Sequence, residues 1–189
     1  MNPRYKRLQA ECDKLRELEE RSPYVQILEL EGSPPEKYLL SLKCKGITAV
    51  DGKGQPVYSY EHKLGIHLPP EFPRKGPVFQ MFTQVWHPNI AINGAVCYGD
   101  EGDHGYAPSM TIDDLVIRII EMIRYENIGL QSAFNLLAAE WTQKNQALFP
   151  LDRSQIVHEE MEIDISDIKF ITSEDLDPND NILGDIVIL

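Results

Sequence analysis

A thiol and a side-chain amide stand eight residues apart in one short stretch, Asn89 and Cys97. The stretch begins Trp86-His87-Pro88-Asn89-Ile90 and ends Gly94-Ala95-Val96-Cys97-Tyr98-Gly99-Asp100. That interval is long enough for a folded loop to bring the two side chains back together. The chemistry they could share is acyl transfer. A thiolate attacks an acyl group, and a nearby N–H donor stabilises the oxyanion that forms. Asn89 is the candidate donor, and holding the loop through backbone hydrogen bonds is an equally compatible role for it. Pro88 fixes φ and shapes the turn. His87 is a candidate general base or a hydrogen-bonded structural histidine. An acceptor amine is mostly protonated at neutral pH, so a carboxylate that orients it or a dry site that lowers its pKa would help. Asp100 is the first candidate for that role, followed by Glu101, Asp103 and His104. A solvated acidic loop is the alternative reading of those four residues.

These residues resemble the ubiquitin-conjugating enzymes, in which a His-Pro-Asn turn precedes the catalytic cysteine by the same interval. The likeness extends upstream through Leu68-Pro69-Pro70-Glu71-Phe72-Pro73 and Gly76-Pro77-Val78-Phe79. Downstream it takes in Tyr106-Ala107-Pro108-Ser109-Met110-Thr111-Ile112 and then Asn135, Ala138, Trp141, Asn145 and Phe149. It covers roughly residues 1–150. Cys97 would then accept a ubiquitin-like protein from an activating enzyme as a thioester and pass it to a target amine, with a ligase as a further possible partner. The resemblance also implies a structural His87 that bonds the backbone. It implies that the first helix, with Arg4, Lys6 and Arg7 at its start, docks the activating enzyme. Basic side chains there oppose the helix macrodipole, which suits a partner-facing role.

Several positions depart from the family pattern. Tyr98-Gly99-Asp100 stands where many members have Leu-Asp. Tyr106 replaces a Trp. The acidic gate residue of the family falls near Leu130, and the nearest acid is Glu126. These departures suggest a divergent branch, with a bacterial conjugation and defence system as one setting by analogy.

Three other readings compete. A non-catalytic adaptor of the same fold would bind the ubiquitin-like protein or its activating enzyme, but such relatives usually lack the cysteine. A metal site built from His87, Cys97 and His104 lacks a standard ligand spacing. A cysteine hydrolase would need a histidine beside Cys97, with His104 as the local candidate besides His87. No metal and no cofactor are expected.

The elements that must position this stretch are legible from periodicity. Tyr5, Leu8, Cys12, Leu15 and Leu18 mark an amphipathic helix over 3–20, stopped by Ser22-Pro23. Tyr24–Leu30, Tyr38–Cys44, Tyr58–Leu68 and Val78–Phe82 read as four strands of an antiparallel meander. Gly32-Ser33-Pro34-Pro35 and Asp51-Gly52-Lys53-Gly54 are the turns between them. Thr111 opens a helix with Asp114 as its capping-box partner and Leu115, Ile119, Met122 and Ile123 as its buried stripe. A last helix spans about 133–148, with Phe134, Leu137, Ala138, Trp141 and Leu148 inward. The expected fold is α+β: an N-terminal helix, a four-stranded antiparallel sheet and C-terminal helices.

The chain of 189 residues carries a net charge of −12. Residues 151–189 hold eleven acids and two bases, and residues 1–150 hold nineteen and sixteen. A catalytic domain over 1–150 and an acidic extension over 151–189 are expected. Within the extension, Met161–Ile165 alternates apolar and acidic residues, and Gly184–Leu189 is strongly apolar. Either a packed element or a partner-docking segment fits such a tail. An acidic balance argues against nucleic-acid binding. No apolar run approaches the ~20 residues of a membrane helix. The charged start does not read as a secretory signal, and three scattered cysteines make no disulfide framework. A cytoplasmic setting is therefore expected, with Cys12 and Cys44 as small core residues.

Overall fold

The computed structural model describes residues 2–99, 106–131 and 133–158. Helix α1 spans Pro3–Arg21 and begins as its sequence dictates. Asn2 caps it, its side chain accepting from the Arg4 amide at 2.9 Å, and proline occupies the first turn, where no N–H is needed. Leu8, Cys12, Leu15 and Leu18 are buried, whereas Tyr5 at the end of the stripe stays exposed. Glu11 lies between these apolar positions and is also buried.

Six strands follow: β1 (Val25–Gly32), β2 (Pro35–Leu42), β3 (Gly46–Val50), β4 (Pro56–Ser59), β5 (His62–His67) and β6 (Val78–Met81). Four of them form the expected antiparallel sheet in the order β1-β2-β5-β6. Rows such as Ile27–Leu40–Leu64–Met81 and Leu30–Tyr38–Ile66–Phe79 run across it, and most of these side chains are buried in the core beneath the sheet. The strand expected over Tyr58–Leu68 is in fact two strands in two sheets. The chain turns at Tyr60-Glu61, where the Ser59 hydroxyl donates to the Glu61 carbonyl at 3.1 Å. Residues before the turn pair with β3, and those after it pair with β2. The Asp51–Gly54 turn accordingly closes the β3–β4 hairpin rather than linking strands of the main sheet.

Helix α2 (Ile112–Ile123) buries Leu115, Ile119, Met122 and Ile123 as its period predicts. Its cap differs from the expectation. The Thr111 hydroxyl donates to Asp114 at 2.7 Å and caps no backbone N–H. The Ile112 amide is held instead by Glu11 of α1, at 2.7 Å. Glu11 also pairs with Arg7, so one buried carboxylate joins the two helices. After α2 the chain turns at Tyr125, with φ +62.

The last helix is shorter than expected. Helix α3 spans Leu136–Lys144 and is capped by Asn135, whose side chain accepts from Ala138 at 3.0 Å; a 3₁₀ turn follows over Gln146–Leu148. Ala138 and Trp141 are buried as expected, but Phe134 is 53% exposed and Leu137 61% exposed. Phe134 lies before the cap, and Leu137 lies in the first turn, on the face opposite the core.

The described residues after Pro150 lie against this body. Arg124 is fully buried and donates to the carbonyls of Asp152 and Ser154 at 2.9 and 3.0 Å. The Tyr24 and Ser154 hydroxyls meet at 2.7 Å, and Ile156 and Val157 pack on the core. The tail segments Met161–Ile165 and Gly184–Leu189 fall outside the described residues. No helix among the described residues is long and apolar enough to cross a membrane.

Candidate active site

The eight-residue interval between Asn89 and Cys97 is a hairpin register. The Cys97 amide donates to the Asn89 carbonyl at 2.9 Å, Ile90 bridges Val96, and the Ala91 amide donates to Ala95 at 2.9 Å. Each residue of one arm faces its counterpart in the other. Opposed residues of an antiparallel pair present their side chains on one face, with Cβ atoms about 4.5–5.5 Å apart. This register brings Asn89 and Cys97 together. Gly94 closes the tip at φ +87, and a Cβ there would lie 2.2 Å from the Met81 carbonyl, so only glycine fits. The hairpin is tied to β6 through Gln80 and Ala95 and through the Met81 amide, which donates to Gly94 at 2.8 Å.

The turn that enters this hairpin is held on every side. The Trp86 amide donates to Ile47 of β3 at 2.7 Å, and the Tyr125 hydroxyl donates to the Trp86 carbonyl. The Pro88 carbonyl accepts from both Phe134 and Asn135, at 2.8 and 2.9 Å. His87 is fully buried, and its ring meets that of Tyr125 edge-on at 4.9 Å. Its Nδ1 accepts from the Asn89 amide at 3.1 Å. The Nε2 is buried without a hydrogen bond of good geometry, although the Asn127 backbone exerts a weak pull on the ring. Loss of water dominates and pushes the His87 pKa down to about 3. The ring is therefore neutral at physiological pH and a poor proton acceptor, and its geometry supports the turn.

Asn89 is 5% exposed, and its amide is engaged at both ends. Nδ2 donates to the Gly129 carbonyl at 2.7 Å, and Oδ1 accepts from the Gly129 amide at 2.8 Å. The side chain thus clips the hairpin to the loop after α2, forty residues away in sequence.

Cys97 is half-buried, unlike Cys12 and Cys44, which are both buried. Burial raises both of those thiols, Cys44 to about 12, so neither ionises readily. Contacts with described residues hold Tyr98, the residue after Cys97. The Tyr98 carbonyl accepts from Arg118 of α2 at 3.0 Å, its hydroxyl donates to the Pro77 carbonyl at 2.7 Å, and its ring lies edge-on to Phe79 at 5.0 Å. The Tyr106 hydroxyl donates to the Pro73 carbonyl at 2.8 Å.

Asp100, Glu101, Asp103 and His104 lie outside the described residues. Glu126, the acid nearest Leu130 in sequence, has its pKa raised by burial and interacts with Arg124, Glu121 and Asp152. Among the described residues, no three His, Cys, Asp or Glu side chains gather as a metal would require.

The three bases at the start of α1 divide. Arg4 donates to the carbonyls of Pro69 and Pro70 and pairs with Glu36 at 2.5 Å. Arg7 pairs with Glu11, donates to the Met110 carbonyl at 2.6 Å and sits 5.5 Å over the Phe72 ring. Both arginines brace the body of the protein, and Lys6 stays exposed. Gly129, Tyr125 and Arg118 went unnoticed in the sequence. Glu11 carried a signal, because it falls between Leu8 and Cys12 on the buried side of the helical period.

The family model of the ubiquitin-conjugating enzymes matches residues 7–156. The chain is 28% identical over 107 residues to the ubiquitin-conjugating enzyme E2 of African swine fever virus, covering 50% of each chain. It is 30% identical over 124 residues to the probable ubiquitin-conjugating enzyme E2 7 of Caenorhabditis elegans, covering 58% of this chain and 74% of that one. It is also 28% identical over 91 residues to the NEDD8-conjugating enzyme ubc-12 of the same nematode, covering 45% and 50%. The chain thus spans about half the length of two of these relatives. With the family model matched over residues 7–156, most of its length, the chain belongs to the ubiquitin-conjugating enzyme family.

Proposed function

We propose that this chain is a thioester-carrying transferase. Cys97 takes the C-terminal acyl group of a ubiquitin-like protein from an activating enzyme and delivers it to an amine of a target, with lysine as the expected acceptor. The observation that carries this reading is the hairpin register, which sets a half-buried thiol opposite Asn89 while the other two cysteines are sequestered.

In the exchange, the Cys97 sulfur attacks the incoming thioester and the activating enzyme's sulfur leaves. In the transfer, an amine attacks the Cys97 thioester, a C–N bond forms and the C–S bond breaks. The role of Asn89 is to hold the hairpin against the Gly129 loop, so that the carbonyl bound to Cys97 has a fixed place. Donation to the oxyanion by the same amide is a second part of the proposal, typically contributing about 10²–10³ in rate where such a donor acts. Asp100 remains the proposed partner of the amine, and the start of α1, with Arg4, Lys6 and Arg7, the proposed contact for the activating enzyme.

The test is adduct formation in a lysate of the native source with ATP, read on gels with and without reductant. A slower, reductant-sensitive band that Cys97→Ala lacks supports the reading. A charged activating enzyme in the same lysate with no band on this chain would favour the adaptor of the same fold.

A further inference from the structure

Helix α2 ends on a residue that its backbone does not favour. The Glu126 amide donates to the Glu121 carbonyl at 2.8 Å and the Tyr125 amide to the Met122 carbonyl at 2.9 Å, the paired bonds that close a helix around a left-handed residue. Glycine is the usual occupant, because a Cβ is penalised there. This chain places a tyrosine at that point, and among the described residues no other residue except glycine has a positive φ. Such a conformation persists where the surroundings fix it, and it concentrates at functional sites. Tyr125 is fixed from both sides. Arg124 before it is buried and bonded to the Asp152 and Ser154 carbonyls. The Tyr125 ring, 2% exposed, lies 4.7 Å from that of Phe149 and edge-on to Trp141 at 6.3 Å. Its outer end reaches the proposed site. The hydroxyl donates to the Trp86 carbonyl, and the ring meets His87 edge-on at 4.9 Å. From His87 the contacts run on to the thiol residue: Nδ1 accepts from the Asn89 amide at 3.1 Å, and the Asn89 carbonyl accepts from the Cys97 amide at 2.9 Å. A glycine here would relax the helix end and lose the contacts to Trp86 and His87.

We propose that Tyr125 is a positioning residue for the transfer step: its hydroxyl and ring fix the Trp86-His87 turn and, through Asn89, the place of the acyl group on Cys97. The proposal rests on the reading of Cys97 as a thioester carrier. In that step the amine nitrogen attacks the thioester carbonyl and a C–N bond forms. The C–S bond breaks, its electron pair stays on the Cys97 sulfur, and the proton of the amine passes to solvent. The rate depends on where the carbonyl is held, since a misplacement of about 1 Å can cost about 10²-fold. The charged fraction reached at plateau does not depend on it, because that is an equilibrium between two similar thioesters. Tyr125 therefore acts on the rate of discharge and not on the extent of charging.

The experiment separates the two. The tagged full chain is charged in a lysate of its native source with ATP, recovered without ATP, and discharged with ethylamine. Tyr125→Phe removes only the hydroxyl. Tyr125→Gly removes the whole side chain and suits the backbone, so it would serve as well as tyrosine if the position were a helix end alone. Ile66→Val, in the core under β5, is the control for stability, because trimming one buried methyl costs about as much as losing one hydrogen bond. Tyr125→Phe should charge to the plateau of the unaltered chain and discharge about fivefold more slowly, the worth of one neutral hydrogen bond. Tyr125→Gly should discharge more slowly still, and Ile66→Val at the unaltered rate. Hydrogen exchange at the Asn89 and Cys97 amides should quicken in Tyr125→Phe and not in Ile66→Val. An unchanged discharge rate in Tyr125→Phe overturns the proposal, as does a lowered plateau in that variant or a slowing that Ile66→Val matches. If the unaltered chain takes up no modifier while the activating enzyme in the lysate is charged, the carrier reading falls, and the role of Tyr125 falls with it.

Discussion

Replacing Asn89 with alanine should loosen the hairpin at a cost that follows from its geometry. The substitution removes two hydrogen bonds, at 2.7 and 2.8 Å, and leaves the Gly129 carbonyl and amide without these partners. A neutral hydrogen bond contributes about 1 kcal/mol net, and abandoning a buried partner costs about 1–3 kcal/mol. Gly129 is half-buried, so water recovers part of that loss. A destabilisation of about 2–3 kcal/mol follows. At about 2–4 °C per kcal/mol for a chain of this size, the melting temperature should fall by about 4–12 °C. Asn89→Asp should not rescue it, because a carboxylate would face the Gly129 carbonyl and repel it. Calorimetry reads the first effect. Hydrogen exchange at the Gly129 amide reads the second, since that proton loses its acceptor in Asn89→Ala and should exchange faster. A melting temperature and a Gly129 protection both unchanged in Asn89→Ala would refute the clip.

Acid should weaken the fold through its buried histidines. His87 has a pKa near 3 in the folded chain and about 6.5 when unfolded, so its stabilisation is complete above pH 6.5 and is lost as pH falls toward 3. At pH 5 His87 alone should have given up about 2 kcal/mol, and His62, lowered by burial, acts in the same direction. Urea midpoints at pH 7.5 and pH 5 check this, and His87→Gln should reduce the difference. Phe134→Ser and Leu137→Ser should each cost under about 1 kcal/mol, whereas Trp141→Ala should cost about 3–5 kcal/mol; equal losses would show that α3 faces the other way. A thiol reagent on the folded chain should modify Cys97 first and leave Cys12 and Cys44 to react only on unfolding, as peptide mass mapping would show.

Local periodicity carried most of the fold. The stripe of α1 and the alternation in β5 follow from burying one face, and both are visible in a single sequence. The same rule misled at Tyr58–Leu68. Alternation of apolar residues continues through Tyr60-Glu61, and a period of two cannot register a bend that moves the chain from one sheet to another. Phe134 and Leu137 are apolar yet exposed, because apolar type alone does not decide burial. Asn135 was the better guide, since an Asn cap starts a helix one residue later and fixes which face turns inward. The spacing of Asn89 and Cys97 was legible as chemistry, and the hairpin supplies its physical cause. Contacts distant in sequence were not legible. The Gly129 clip, the Glu11 cap on α2 and the Arg118 contact to Tyr98 each join segments far apart in the chain, and no local pattern announces them.

The central claim is that Cys97 carries the acyl group, and intact mass of the purified protein after charging tests it most directly. With ATP, the activating enzyme and the modifier present, the chain should gain the mass of the modifier less one water. Reductant should erase the gain, and Cys97→Ala should never show it. In Cys97→Ser the same gain should persist in reductant, because an oxygen ester resists thiol exchange. An adduct that survives on Cys97→Ala, or a charged activating enzyme that leaves the mass of this chain unchanged, would contradict the account.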